Sequence, residues 1–341
     1  PKREQGTALH LGLSRQGGNR GDCIGGASGI VSACSKAGKV ALVGAGAVGG
    51  FYGGMLARAG ADVRFLFRST YKDVVREGLS LVLHASNESF PVEPLQAYRD
   101  SSDIGICDWV IVAAKATANS RFGEMLAPLV DEHTSLLTLQ NGMGNVERLA
   151  ELFGDYRTIV GGLCFTCINR TSTTVVESIF PGYVQFGQVG QPLSSKACDI
   201  MEAFTEAGVD AREAVSLDEA LWKKLCWNIP FNGLSVVAGG ITTDQILADP
   251  ELAGRARSLM EELQAAATPH GVEIEDSFLD RQFTLTEPMG PYKPSSLIDF
   301  LAGRQVEVDA IWGEPLRRGE AAGVSMPRLK NLHGELLSID K

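Results

Sequence analysis

The tightest constraint on the fold is the stretch over residues 39–69, KVALVGAGAVGGFYGGMLARAGADVRFLFRS. Residues 40–43 form a short apolar run with β-branched valines, too short for a helix and suited to a buried strand. The run leads into Gly44-Ala45-Gly46-Ala47-Val48-Gly49. Apolar and small residues then recur at helical spacing (Val48, Phe51, Tyr52, Met55, Leu56, Ala59), and Gly60 offers a stop. Residues 62–67 alternate as a second strand. Strand, glycine turn, helix and strand within about thirty residues is the setting in which a G-x-G-x-x-G pattern carries weight. Gly44 permits the tight turn, Gly46 lets the backbone approach a pyrophosphate, and Gly49 lets the helix lie close to the strand. The helix N-terminus offers unpaired N–H groups and partial positive charge to phosphates. Residues Gly44, Ala45, Gly46, Ala47, Val48 and Gly49 are therefore the candidate dinucleotide loop; a tight β–α turn with no ligand is the alternative.

The end of the second strand bears on which dinucleotide. A site for NAD usually carries Asp or Glu there to accept the ribose 2′-hydroxyl. This chain reads Phe67-Arg68-Ser69-Thr70, with no acid. A guanidinium can make a two-pronged contact with a 2′-phosphate. The expected cofactor is NADPH/NADP+, with Arg68 as the discriminating residue and Ser69 as its helper, against the plainer reading of Arg68 as a solvated loop residue.

A length of 341 residues suggests two domains, and a hydrophobic fraction of 44% supplies ordinary cores. The net charge of −10 comes with no basic patch or stripe, which argues against nucleic acid and anionic membranes as partners. No uninterrupted apolar stretch reaches the length of a transmembrane helix. Seven cysteines, an odd number, without a secretory signal fit a reducing compartment and a cytoplasmic protein. Cys164 and Cys167 have C-x-x-C spacing, but they fall in a strand-like apolar segment with no second ligand pair, so a structural role is expected. The five histidines are scattered and form no metal-ligand spacing; no metal is expected.

Residues 1–37, rich in Gly and Ser with isolated basic residues, read as a disordered leader or an extension from a mistaken start of translation. An organelle-targeting segment is the alternative. From residue 38 to 190 strand and helix signals alternate, giving the NADP-binding domain. A hairpin is expected around residues 85–88, and a fully apolar strand at residues 108–113 ends at Ala114-Lys115-Ala116. Residues just past strand C-termini line the ligand crevice of a doubly wound sheet, which places Lys115 near the cofactor, if it is not a solvated loop lysine. A further strand at 134–139 runs into Gln140-Asn141-Gly142-Met143-Gly144. Asn141 there can both donate and accept, although Asn-Gly is also plain turn chemistry. Strands at 157–168, 173–176 and 183–186 complete the sheet. The boundary is expected near residues 189–192. Beyond it, apart from a last short strand at 209–213, residues 191–341 read as helical, with segments at 217–237, 249–268, 275–285, 295–301, 308–322 and 327–339. The expected fold class is thus α/β: an N-terminal Rossmann-type doubly wound sheet with an all-α C-terminal domain for substrate and catalysis. Apolar helical faces there could pair two copies as a homodimer.

The segment at 217–237 carries a second cluster. Lys224, Asn228 and Asn232 recur at i, i+4, i+8 and share one face, flanked by Leu221, Leu225, Trp227 and Phe231. Polar groups aligned on an apolar helix are costly unless they bond to something. A lysine desolvated in this way has a lowered pKa and can supply a proton; the two carboxamides could hold a hydroxylated substrate. The bland alternative is a buried Lys–carboxylate pair with capping asparagines. Ser295, directly after Pro294, reads as a helix N-cap whose N-terminus would accept a substrate carboxylate. Glu307 begins or precedes the next helix.

With these motifs the chain resembles the ketopantoate reductase (2-dehydropantoate 2-reductase) family. The matching stretches are GAGAVGG at 44–50, Arg68, Lys115 in AAKA, NGMG at 141–144, LWKKLCWNIPFN at 221–232 and KPSSLIDFLAGRQVEVDA at 293–310. The resemblance spans about residues 39–337 and leaves the leader outside it. It implies NADPH-dependent reduction of a small 2-oxo acid, ketopantoate, to (R)-pantoate in pantothenate biosynthesis. It also implies roles: Lys224 as general acid, Asn228 and Asn232 as substrate-binding residues, and Ser295 on the substrate carboxylate. Glu307 would contact the cofactor ribose and the lysine, and Asn141 would be shared by cofactor and substrate. Cys167 stands where the family often has alanine. Reduction of another small 2-oxo acid and a non-catalytic NADP-binding sensor are the rival readings.

Overall fold

The computed structural model describes residues 32–339. Ten strands form one sheet: β1 (Lys39–Val43), β2 (Asp62–Leu66), β3 (Ser80–Leu83), β4 (Glu88–Pro91), β5 (Gln96–Tyr98), β6 (Trp109–Val112), β7 (Ser135–Thr138), β8 (Ile159–Arg170), β9 (Val175–Gly187) and β10 (Ala211–Glu213). Their order is β4-β3-β9-β8-β7-β6-β1-β2-β5, with β10 beside β9. From β5 through β2, β1, β6 and β7 to β8 every pairing is parallel. This is the order of two joined mononucleotide-binding halves, with the order of strand addition reversing between β1 and β6, where such sheets open a ligand crevice. Residues 40–43 and 109–112 are buried throughout, as fits strands covered on both faces.

The Ala47–Arg58 helix lies inside the curl of this sheet, touching β1 and β2 as well as β8 and β9. Its glycines follow from that enclosure. A Cβ at Gly53 would meet the Phe65 ring at 2.5 Å, and one at Gly54 would meet Leu81 at 2.8 Å and Val92 at 2.9 Å. The hairpin expected around residues 85–88 is present as β3 and β4.

Three boundaries differ from the sequence reading. The segments at 173–176 and 183–186 are one strand, β9, which pairs antiparallel with β8 through a register shift between Phe165 and Cys167. Pro181 and Gly182, which look like strand breakers, fall within it, the expected context for both being a bulge. Residues 32–37 are not a disordered leader: the Ala33–Lys36 helix buries Cys34, whose N–H donates to Glu206 at 2.8 Å. Residues 1–31 of the expected leader lie outside the described residues. The Ser195–Glu206 helix, expected in the helical domain, buries Ala197, Ile200, Ala203 and Phe204 in the sheet's core, and β10 pairs with β9. The sheet layer therefore extends to residue 214; an amphipathic period reads the same whichever core its apolar stripe enters.

The second layer is helical from Leu217 onward. The Leu217–Val237 helix starts with Ser216 capping Glu219 N–H at 3.0 Å and runs through Pro230. A proline inside a helix forfeits one backbone bond, at about 3 kcal/mol. Burial of Ile229, Phe231 and Leu234 around it, together with Trp222, Leu259, Leu263 and Trp312, holds the helix regardless. Leu217 and Ala220, at its start, belong instead to the core beneath the sheet, with Val146, Ile159 and Leu163. The segment at 308–322 divides into a π-turn, Asp309–Gly313, and the Glu314–Ala321 helix.

Candidate active site

The glycine turn behaves as its sequence demands. Gly44 has φ +93°, and a Cβ there would lie 2.2 Å from the Ala114 nitrogen at the end of β6. Gly49 passes so close that a Cβ would lie 2.3 Å from the Gly44 carbonyl oxygen. At Gly46, by contrast, an added Cβ would meet nothing within 4 Å. The turn is thus packed on its inner side and open on its outer side, at the N-terminus of a helix whose first residues are Ala47 and Val48. Arg68, just past β2, is exposed and makes no ion pair or hydrogen bond among the described residues. These features fit a dinucleotide phosphate on the turn and an anion at Arg68.

Lys115 follows β6 at the crevice. Its ammonium pairs with Asp299 of the Ser295–Leu301 helix, whose other oxygen accepts from Arg304 at 2.9 Å. One residue on, the Ala116 N–H donates to Glu307 at 2.7 Å. Both contacts join the sheet layer to the helical layer. Glu307 is buried, and burial pushes its carboxyl pKa up, with the Ala116 N–H, Lys115 and Lys224 pulling it down and Asp299 adding to the rise.

The loop after β7 is docked by backbone geometry. Within the π-turn the Glu314 N–H is taken by the Asp309 carbonyl. Pro315 has no N–H to offer, so the Ala310 carbonyl has no donor in its own helix. The Met143 N–H supplies one across the crevice at 2.9 Å. Gly142, at φ +88°, makes room for it: a Cβ there would lie 2.3 Å from that carbonyl oxygen.

Docking the loop presents Asn141 to the Leu217–Val237 helix, where its Oδ1 accepts from Lys224 Nζ at 3.0 Å. The ammonium also lies 5.3 Å from the centre of the Phe165 ring on β8. Lys224 is desolvated, which lowers its pKa; the charges of Cys164 and Glu307 oppose that shift. One and two turns further along the same face come Asn228 and Asn232. Asn228 is half-buried, and its carboxamide forms no hydrogen bond among the described residues. Asn232 is buried, and its Oδ1 accepts from the Ser296 N–H at 2.9 Å and from Ser295 Oγ at 3.4 Å. The three polar residues therefore do share a face, and it looks across the crevice to Asn141 at one end and Ser295 at the other. Ser295 is exposed and is the first residue of its helix, not the cap, which is Pro294.

Sequence reasoning missed a carboxamide network behind Asn141. Asn145 donates to the Asn141 carbonyl at 3.0 Å and accepts from Asn119 at 3.0 Å, and Asn119 in turn accepts from Gln140 at 2.9 Å. Nothing in their spacing marks them. Cys164 and Cys167 lie on β8 beside the irregular stretch of β9; burial pushes both thiols up, and neither is in a disulfide. No group of three or more His, Cys, Asp or Glu among the described residues could hold a metal. No helix among them is long and apolar enough to cross a membrane.

Two family models match, described as ketopantoate reductase PanE/ApbA over residues 40–191 and ketopantoate reductase PanE/ApbA C terminal over residues 216–339. The chain belongs to the ketopantoate reductase family. The 2-dehydropantoate 2-reductase of Nostoc sp. is 36% identical over 307 residues, covering 89% of this chain and 95% of that protein. The uncharacterized oxidoreductase YkpB of Bacillus subtilis is 28% identical over 310 residues. Among solved structures, the 2-dehydropantoate 2-reductase from Geobacter metallireducens superposes with a TM-score of 0.84 at 39% identity, covering 88% of this chain and 99% of that one. A D-mandelate dehydrogenase with NADH and anilino(oxo)acetate shares the fold at 20% identity and a TM-score of 0.79. Membership in the ketopantoate reductase family makes this chain an oxidoreductase that works with a nicotinamide cofactor. The family's two models leave residues 192–215 between them, the interval that holds the last sheet-bound helix and β10.

Proposed function

We propose that this chain reduces 2-dehydropantoate to (R)-pantoate with NADPH. The observation that carries the reading is the placement of Lys224: a desolvated ammonium on an apolar helix, held by Asn141 from the opposite layer. The turn at residues 44–49 would hold the dinucleotide's phosphates, Arg68 its 2′-phosphate, and Lys115 and Glu307 the ribose side of the crevice. When bound, the nicotinamide supplies the hydride to the ketone carbon.

The chain's own task is the proton. Lys224 Nζ donates a proton to the ketone oxygen as the carbonyl becomes an alcohol, and is left as the neutral amine. Burial makes that loss easier by disfavouring the charged form. The carboxylate of Glu307 works the other way, keeping the lysine charged until the negative charge develops on the substrate oxygen. Asn141 fixes the direction of the ammonium. Asn228, whose carboxamide is uncommitted among the described residues, would take the substrate hydroxyl. Asn232 and Ser295, already joined to each other, would receive the substrate carboxylate.

The test is initial-rate reduction of 2-dehydropantoate with NADPH and with NADH, followed by nicotinamide absorbance, against a panel of other small 2-oxo acids. Selective turnover of 2-dehydropantoate with NADPH supports the proposal. Faster turnover of another 2-oxo acid assigns the chain a different substrate within the same chemistry. NADPH binding with no turnover on any of them assigns it to sensing.

A further inference from the structure

Arg170, the last residue of β8, is a second guanidinium at the dinucleotide end of the crevice. It donates to the carbonyl oxygen of Ala45 in the glycine turn and to that of Thr173. It also donates to Thr70 Oγ1 at 3.3 Å and to the Ser172 carbonyl at 3.2 Å, and lies 5.8 Å from the centre of the Phe67 ring. Every one of these acceptors is neutral, and Arg170 forms no ion pair among the described residues. Burial pulls its pKa down, and no neighbouring charge opposes the shift. A partly buried cation with no counter-ion is costly, which is the signature of a group arranged for an anion from outside the chain.

Its position says which anion. Ala45 is the second residue of the turn, and Phe67 and Thr70 flank Arg68 at the end of β2. The guanidinium therefore bridges the two segments between which this fold holds the adenosine ribose. We infer that Arg170 is a second cation for the dinucleotide's 2′-phosphate, acting with Arg68, and a determinant of the choice of NADPH over NADH. This rests on the NADPH reading above. The competing role is purely structural: a clamp that holds the turn through the Ala45 carbonyl and would support either dinucleotide equally.

Binding of NADPH, NADH and 2′,5′-ADP to the full chain, measured by calorimetry, separates these. In Arg170→Met the dissociation constants for NADPH and 2′,5′-ADP rise roughly 10- to 100-fold, the scale of a charge-assisted contact, while that for NADH changes by less than about threefold. Arg170→Lys, which keeps the charge but loses the planar fork, shows a smaller loss confined to the same two ligands. It also serves as the test if the Met variant does not fold. Equal weakening of NADPH and NADH, or no weakening of either, overturns the inference. A wild-type protein that ignores 2′,5′-ADP and binds NADH as tightly as NADPH overturns the cofactor reading itself. A wild type that prefers NADPH, with the preference intact in both variants, overturns only the role of Arg170.

Discussion

Replacing Lys224 by methionine tests the proton-donor assignment with little change in shape. The substitution keeps an unbranched chain against Phe165 but removes the ammonium, its 3.0 Å bond to Asn141 and its approach to the Phe165 ring. Loss of a positioned general acid costs roughly 10²–10⁴ in rate, or about 3–5 kcal/mol of transition-state stabilisation. The effect on folding is far smaller. Leaving Asn141 Oδ1 without its donor costs about 1–3 kcal/mol, and the cation–π contact adds about 0.5–2 kcal/mol. Against these stands the relief of desolvating a charge, the first cause of this lysine's lowered pKa. Stability should therefore change by no more than about 2 kcal/mol while kcat collapses. The assay is a pH–rate profile under saturating substrate and cofactor. In the wild type the acid must be protonated, so turnover falls as pH rises through the pKa of Lys224, and the fall comes below the ordinary lysine range. In Lys224→Met that alkaline limb disappears from a rate already low. Turnover within tenfold of the wild type, or an alkaline limb that survives the substitution, refutes the assignment.

Glu307→Gln removes the negative charge that favours the protonated lysine, while the new amide oxygen can still accept from the Ala116 N–H. Its alkaline limb should move to lower pH, with kcat down roughly tenfold; a limb that stays in place separates Glu307 from Lys224. Gly142→Ala forces a side chain onto a left-handed backbone, at about 1–2 kcal/mol, and against the Ala310 carbonyl, at about 1–3 kcal/mol of overpacking. It should lower stability in urea unfolding by about 2–5 kcal/mol and raise KM for the 2-oxo acid by displacing Asn141. A variant with wild-type stability and KM would mean that the loop is not docked by this contact.

The parts of the site carried by local pattern were legible in the sequence. The glycine turn announces itself because side chains at Gly44 and Gly49 would collide with the backbone behind them, while at Gly46 it is an approaching phosphate that calls for a bare backbone. The i, i+4, i+8 row of Lys224, Asn228 and Asn232 is visible because an apolar helix makes its polar residues conspicuous. Ser295 was placed one position off as a cap because a proline before a serine reads the same whether the serine caps the helix or begins it. What stayed hidden depends on contacts between distant parts of the chain. Asp299 is 184 residues from Lys115, and nothing local to either says that they meet. The π-turn at Asp309–Gly313, followed by Pro315, leaves the Ala310 carbonyl without a donor in its own helix, and nothing local says that Met143 supplies one. Arg170 sits at a strand end like many arginines, and only its lack of a carboxylate among the described residues sets it apart. The layer that the Ser195–Glu206 helix joins was hidden because this helix is amphipathic in the same way as the helices of the other layer.

The Leu217–Val237 helix is rooted in both cores. Leu217 is seated so closely on β8 and β9 that a Cβ at Gly161 would lie 2.6 Å from its side chain and one at Gly187 3.0 Å, whereas Trp222 and the residues beyond belong to the helical layer. The two halves of the molecule are thus threaded on a common rod instead of being strung on a slack tether. Any widening of the gap between them has to flex that rod in its first turns, between Ala220 and Trp222, which leaves the lysine travelling with the helical half. Asn228, Asn232 and Ser295 ride on that same half, so proton donor and substrate grip move as one against the half that carries the dinucleotide turn.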